Sequence, residues 1–118
     1  MSSQSEQLRE RTKAFALRIV KLFRSLPRAT EAQVIGKQLL RSGTSVAANY
    51  RGACRARSRA EFVSKLGVVL EEVDESVLWI EMLIDAGIVK KARLDQLLSE
   101  ARQLTAIFTA SRQTAKQR

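Results

Sequence analysis

Apolar residues recur at steps of three and four through the second half of this 118-residue chain. One uninterrupted row consists of Val63, Leu66, Leu70, Val73, Val77, Ile80 and Ile84. This spacing places side chains on one face of an α-helix, and a heptad-like row is typical of helices in a bundle. The rest of the chain has helical spacing and no sustained alternation. The sequence therefore predicts an all-α protein, an antiparallel up-down-up-down four-helix bundle forming a single domain over residues 1–118.

Turn and cap signals divide the chain into four helices. Pro27 ends the first, an arginine-rich turn ends the second, and Gly87 ends the third. Apparent capping boxes, Thr30 to Gln33 and Ser58 to Glu61, mark two helix starts. The expected helices cover residues 5–26, 30–57, 59–86 and 91–111, and the tail 112–118 is expected to fray. The expected inward rows are Leu8, Thr12, Phe15, Ile19, Leu22 and Leu26 in the first helix and Ile35, Leu39, Ser42, Val46, Asn49 and Ala53 in the second.

Small residues, Ser42 to Ala48, form the middle of the second helix. Gly43 costs about 1 kcal/mol of helix propensity relative to alanine, so it is expected to permit close packing or to mark a bend. Asn49 falls on the inward row, where its amide needs hydrogen-bond partners. We expect it to tie two helices together, with a catalytic amide as the alternative. Tyr50 is expected at a helix or subunit interface, with stacking on a base as the alternative.

Cations share one face of the second helix and continue into the turn that follows it. No acid interrupts the chain between Glu31 and Glu61. A solvated face is one interpretation of this stripe, and a surface for phosphate groups is the other. The candidate nucleic-acid-binding residues are Lys37, Arg41, Arg51, Arg55, Arg57 and Arg59, aided by Arg11, Arg18 and Lys21 of the first helix.

The formal net charge of +9 is unevenly distributed. Residues 1–57 have a net charge of +9 and residues 58–118 a net charge of 0, because the third helix is rich in carboxylates. Such asymmetry can steer an anionic partner, or can let the acidic helix of one subunit meet the basic helix of another. The apolar face of the third helix is also wider than one packing seam requires, which predicts contact with a second subunit. The residues that widen it are Phe62, Val69, Trp79 and Leu83.

Residues that carry chemistry are few: the chain has no histidine and one cysteine, Cys54. Zinc and copper sites and histidine-based catalysis are therefore not expected, and no nucleophile is paired with a base. The carboxylates at positions 71, 72, 74 and 75 lack the inward glutamates of a di-iron site. We expect no enzymatic activity, cofactor or metal. A lone cysteine, no long apolar run and no signal core predict a cytoplasmic protein without a membrane span.

Several segments resemble the 23S rRNA intervening-sequence protein family. They are Leu26-Pro27, the run from Leu39 to Asn49, the run from Arg57 to Phe62, and the acidic helix as far as Leu83. The resemblance covers about residues 8–108 and implies a four-helix bundle that assembles into a homopentameric ring. The family is also similar to the basic accessory proteins of diversity-generating retroelements, which work with a reverse transcriptase and RNA. It supplies no catalytic residues, and here Arg51 stands where an acid is common in the family.

Two hypotheses follow. The first is a non-enzymatic oligomer that binds RNA or DNA through phosphate contacts. The second is an oligomeric scaffold for a protein partner, in which Arg51 and Arg55 pair with Glu71, Glu75 or Asp85 of a neighbouring subunit. An enzyme is a third, weaker alternative that would rest on Asn49 or Tyr50. The sequence does not identify the nucleic acid, the protein partner, the process or the number of subunits.

Overall fold

The structure, a computed structural model, describes residues 3–118, which form four α-helices and no strand. The helices are α1 (Gln4–Arg24), α2 (Thr30–Cys54), α3 (Arg59–Asp85) and α4 (Lys91–Gln117). The prediction of an all-helical, four-helix protein is confirmed. Met1 and Ser2, which the expected domain includes, lie outside the described residues.

Hydrogen bonds at the helix starts confirm one predicted cap and contradict the other. Ser58 Oγ accepts a hydrogen bond from the backbone N–H of Glu61 at 3.1 Å, as the sequence predicts. The reciprocal bond of the predicted capping box, from the Ser58 N–H to the Glu61 side chain, is not formed within residues 3–118, and Glu61 Oε2 lies 3.5 Å from Arg57 Nε instead. The predicted capping box at Thr30 is wrong, because Thr30 is already helical and Ala29 is the N-cap residue, without a side-chain bond. The Gln33 side chain donates instead to a carbonyl of the preceding turn, 2.9 Å away.

The helix ends differ from the predicted ones by two or three residues in the first two helices and by one residue in the third. α1 ends at Arg24 rather than at residue 26, and α2 ends at Cys54 rather than at residue 57. The α2 end is tight, because the Arg55 N–H donates to the carbonyl of Gly52, three residues back. α3 ends before Gly87, whose φ of 72° lies in the left-handed region that glycine enters without penalty.

The expected fraying of residues 112–118 is wrong, because α4 is helical as far as Gln117. Arg112 Nε donates a hydrogen bond to the Val63 carbonyl of α3 at 3.0 Å. The guanidinium lies over Gly67, where a Cβ atom would be 3.2 Å from its nearest nitrogen. A polar residue of the tail therefore attaches the end of α4 to the beginning of α3.

The core is built from the inward rows of all four helices. Every residue of the predicted α1 row is buried, and so is the predicted α2 row except for the half-buried Asn49. The predicted α3 row is rotated, because the helix is covered on two sides, by α2 and by α4. Val69 and Leu83, which were expected to widen the outer face, are fully buried within the protomer. The buried residues of α3 are Leu66, Val69, Val73, Ser76, Ile80 and Leu83.

Small residues let α2 approach its neighbours. Gly43 lies against Ile19 of α1, so closely that an added Cβ would overlap the Ile19 Cδ1 atom. On the α3 side, the buried hydroxyls of Ser42 and Ser76 are 2.9 Å apart and hydrogen-bonded. Packing thus accounts for the small residues at positions 42 and 43.

Candidate nucleic-acid interface

The predicted cations fall into two groups that differ in their partners. Arg11 is bonded to Glu100 of α4 through two nitrogens, at 2.6 Å and 3.1 Å. Arg41 forms ion pairs with Glu72, at 3.2 Å, and with Glu75 of α3. These two arginines connect helices within the protomer.

The pKa values reflect these pairs. The hydrogen bond to Glu100 raises the pKa of Arg11, and the bond to Glu75 raises that of Arg41. The Arg41 guanidinium lowers the pKa of Glu75, with a smaller contribution from the indole N–H of Trp79, which donates to Glu75 Oε1 at 3.3 Å. These pKa shifts favour the charged forms of the two guanidiniums and of the Glu75 carboxylate.

The other predicted cations are exposed. The Arg57 side chain is 89% exposed and lies 3.5 Å from Glu61, a geometry that contributes little. Within residues 3–118, the remaining cations that the sequence predicted for this site have no carboxylate within ion-pair distance. They are Lys37, Arg51, Arg55 and Arg59 and, on α1, Arg18 and Lys21.

Four cations surround one groove between α1 and α2. Arg9 and Lys13 come from α1, Arg51 comes from α2, and Arg55 is the residue that caps α2. No acidic residue lines the space between them. The volume of this α1–α2 groove is about 510 Å³. Its floor consists of alanines, a threonine and a glycine, so short side chains leave the centre open.

A second basic depression, the α1–α4 groove, contains Arg18 and Lys21 together with Arg93 of α4. Arg93 Nη2 donates to Ser25 Oγ at the end of α1. Of the three predicted first-helix cations, Arg18 and Lys21 line this groove, whereas the charge of Arg11 is matched by Glu100 of α4.

Sequence reasoning missed Arg9, Lys13 and Arg93. Arg9 and Lys13 are four residues apart, a spacing that places both on one helix face. The sequence therefore indicated that Arg9 and Lys13 share a face of α1. It did not indicate that this face borders a groove, because the groove is formed by α1 and α2 together.

The predicted structural residues have mixed outcomes. Asn49 Nδ2 donates to the Ser45 carbonyl of its own helix at 2.9 Å, so the expected tie between helices is wrong. Tyr50 is only 4% exposed, and its ring is 5.0 Å from the ring of Phe108 in α4. Burial raises the pKa of Tyr50, with a further contribution from Cys54. The ring is therefore a core element and is not presented to a base.

In the part of the chain that the structure describes, no group of three or more histidine, cysteine, aspartate or glutamate side chains is placed to hold a metal ion. Across residues 3–118, none of the helices combines the length and apolarity needed to cross a bilayer.

Fold and site together define a small all-helical protein with a basic groove between its first two helices. The chain belongs to the 23S rRNA-intervening sequence protein family, whose model matches residues 5–110. A solved structure from Bacteroides thetaiotaomicron, described as a protein of unknown function from the S23 ribosomal protein family, is 31% identical. The match covers 94% of this chain and 99% of that one, with a TM-score of 0.87. No curated protein matches the chain significantly.

Proposed function

We propose that this protein is a non-enzymatic, self-associating protein that binds RNA or DNA through phosphate contacts. The observation that supports it is the α1–α2 groove, where Arg51 and Arg55 face Arg9 and Lys13 with no lining acid. Unpaired cations attract phosphate and release its condensed counterions. Arg41 and Arg11 are removed from the proposed contact set, because their charges are already matched by carboxylates.

The absence of enzymatic activity is part of the proposal. The two residues that an enzyme hypothesis would use have other roles: the Asn49 amide bonds to its own helix, and the Tyr50 ring is buried. A cytoplasmic location is proposed because a single half-buried Cys54 suits a reducing compartment.

We also propose the up-down-up-down bundle topology and a homopentameric ring. Residue pairs in contact support the antiparallel order, since Ile19 lies by Gly43 and Leu26 by Gly36 in α1 and α2. The same reversal relates α2 and α3. Ser42 is bonded to Ser76, whereas Gly52, which is later in α2, lies near Lys65, which is earlier in α3. The pentamer rests on the family resemblance.

The test is a salt series with nuclease-treated protein and a labelled structured RNA. The family names of the matching model and of the relative refer to ribosomal RNA and ribosomal protein, so structured RNA is the first probe. We expect binding that weakens linearly in log salt, with a slope that reports the number of neutralised phosphates. Arg55→Glu should weaken binding by about tenfold or more, because it replaces an attractive charge with a repulsive one, and should leave the oligomer intact. Absence of binding at low salt would contradict the proposal.

A second candidate is a scaffold whose charges act between subunits. It is favoured by the exposed outer face of α3, where Val68, Leu78 and Met82 lie among carboxylates. In that case Arg51 and Arg55 would meet Glu71 or Asp85 of a neighbour. Glu75, a third candidate partner in the sequence, is already bonded to Arg41. Under this hypothesis Arg55→Glu changes the oligomer itself, so light scattering of the variant separates the two candidates.

A further inference from the structure

The α1–α2 groove is suited to a phosphate backbone rather than to a compact anion. Its cations come in two pairs, each four positions apart in the chain: Arg9 with Lys13 in α1, and Arg51 in the last turn of α2 with Arg55, the residue that caps α2. Four residues advance about 6 Å along a helix axis. The α1 pair therefore has a spacing on the order of that between successive phosphates of one strand, and Arg51 and Arg55 line the same groove from the α2 side.

The floor of the groove allows the backbone to come close. Ala16, Ala47 and Ala48 carry only a methyl group and Gly52 carries none, so the cationic side chains stand above their surroundings. None of the four cations is within ion-pair distance of a carboxylate in residues 3–118. Their charge is available to a ligand, in contrast to that of Arg41.

None of the residues that line the groove is aromatic, so it offers no aromatic ring on which an unpaired base could stack. Proteins that bind single strands combine a basic groove with exposed aromatic rings, and each stacked base contributes substantially to affinity. Tyr50, the aromatic residue next to Arg51, is packed against Phe108 in the core. The large apolar side chains exposed in residues 3–118 are aliphatic or thioether: Leu17, Val34, Val68, Leu78 and Met82.

We propose that the α1–α2 groove binds the sugar–phosphate backbone of a double-stranded nucleic acid and disfavours single strands. This inference rests on the proposed phosphate-binding function and specifies its ligand class. A duplex holds its phosphates at fixed spacing before it binds, whereas a single strand must be ordered on binding, a cost that base stacking would otherwise offset. Contacts of this kind carry no sequence information, so the site reads duplex geometry.

The experiment compares a blunt RNA duplex, the corresponding DNA duplex and each isolated strand, by fluorescence anisotropy across a salt series. We expect the dissociation constant of a duplex to be lower than that of its strands by about tenfold, the size of effect that one base-stacking contact gives to single-strand binders. The two groove variants are Arg9→Gln with Lys13→Gln, and Arg51→Gln with Arg55→Gln. Each should reduce the log–log salt slope by about 2, because two phosphate contacts are lost.

The matched control is Arg102→Gln with Lys116→Gln, which removes the same charge from exposed positions of α4 outside the groove. Thermal unfolding by circular dichroism verifies that every variant is folded. Single strands bound as tightly as duplexes, or groove variants that behave like the control, would overturn the inference while leaving phosphate binding in place. Failure of every nucleic acid to bind would overturn the proposed function as well.

Discussion

At Gly43 the backbone of α2 lies against the Ile19 side chain of α1, which is fully buried. Gly43→Ala inserts a methyl group where the Ile19 Cδ1 atom lies, and overpacking of a core typically costs about 1–3 kcal/mol. The gain in helix propensity, about 1 kcal/mol, offsets part of this cost. We expect a net loss of up to about 2 kcal/mol of unfolding free energy, measured by urea denaturation.

Gly52 of the same helix provides the matched control. An added Cβ there has one neighbour within 4 Å, the Lys65 Nζ atom at 3.9 Å, so Gly52→Ala should be neutral or stabilising. If Gly43→Ala and Gly52→Ala changed the unfolding free energy equally, close packing at Gly43 would not be what makes Gly43→Ala destabilising.

The sequence identified the run of small residues in α2, but the hydrogen bond that joins α2 to another helix was assigned to the wrong residue. Asn49 was expected to join helices, yet it bonds within α2, while Ser42 and Ser76 form the buried bond between α2 and α3. In the sequence, Ser42 stands among small residues and is expected only to allow close packing. Its hydrogen bond to the Ser76 hydroxyl depends on the register of α2 against α3. Ser76 carried no signal, because the predicted inward row of α3 was rotated away from it.

At the scale of elements, the Arg41 ion pairs join α2 to α3. The pKa of Glu75 is lowered by Arg41, so this pair stabilises the fold above the unfolded-state pKa of a glutamate, about 4.3. The contribution is lost as pH falls through the lower folded-state pKa. We expect Arg41→Gln to lower the urea midpoint near pH 7, and the difference from wild type to shrink as pH falls below about 4.

Lys37→Gln is the control for this pH series, since Lys37 is an exposed cation of α2 outside the described ion pairs. It should show no comparable change in its difference from wild type between pH 7 and pH 3. A constant difference for Arg41→Gln over that range would mean that the carboxylates do not mediate its effect.

Element boundaries show where local signals are sufficient. The Ser58 cap and Gly87 are local features, and both were correctly predicted. The last turns of α4 were missed because the segment is polar, and its bond from Arg112 to the Val63 carbonyl joins residues 49 positions apart in the chain. The pairing of Arg41 was missed for the same reason, since its acids lie on another helix.

At the scale of the whole molecule, the outer face of α3 combines exposed apolar and acidic side chains. Leu78 is 48% exposed at this face. If the face is a subunit interface, as the proposed self-association requires, Leu78→Asp loses apolar burial and places a charge in the contact. We expect a dissociation constant raised by about 100-fold, measured by light scattering over a concentration series.

Leu17→Asp makes the same chemical change on α1, where Leu17 is 57% exposed. It should leave the assembly unchanged if α3 supplies the interface. If Leu17→Asp dissociated the assembly and Leu78→Asp did not, the subunit contact would lie on α1 rather than on α3.

The fold class was predictable at this scale because helical spacing extends along the whole chain. The site was predictable only in part. Arg51 and Arg55 were found from the segment that forms α2 and its C-cap, whereas Arg9 and Lys13 line the groove only because α1 packs on α2. A site shared by two helices depends on their relative rotation, which no single-helix pattern contains.

The sparse contact between α1 and α4 bears on the order in which the four helices fold together. Most helix–helix contact joins elements that follow one another, across connections of five, four and five residues. Chain-entropy losses on closing such short loops are small, and structures dominated by nearby contacts reach their native state quickly. The α1–α4 seam, which includes the Arg11–Glu100 bond between positions 89 apart, requires the longest closure. We therefore expect this contact to form last in folding and to open first.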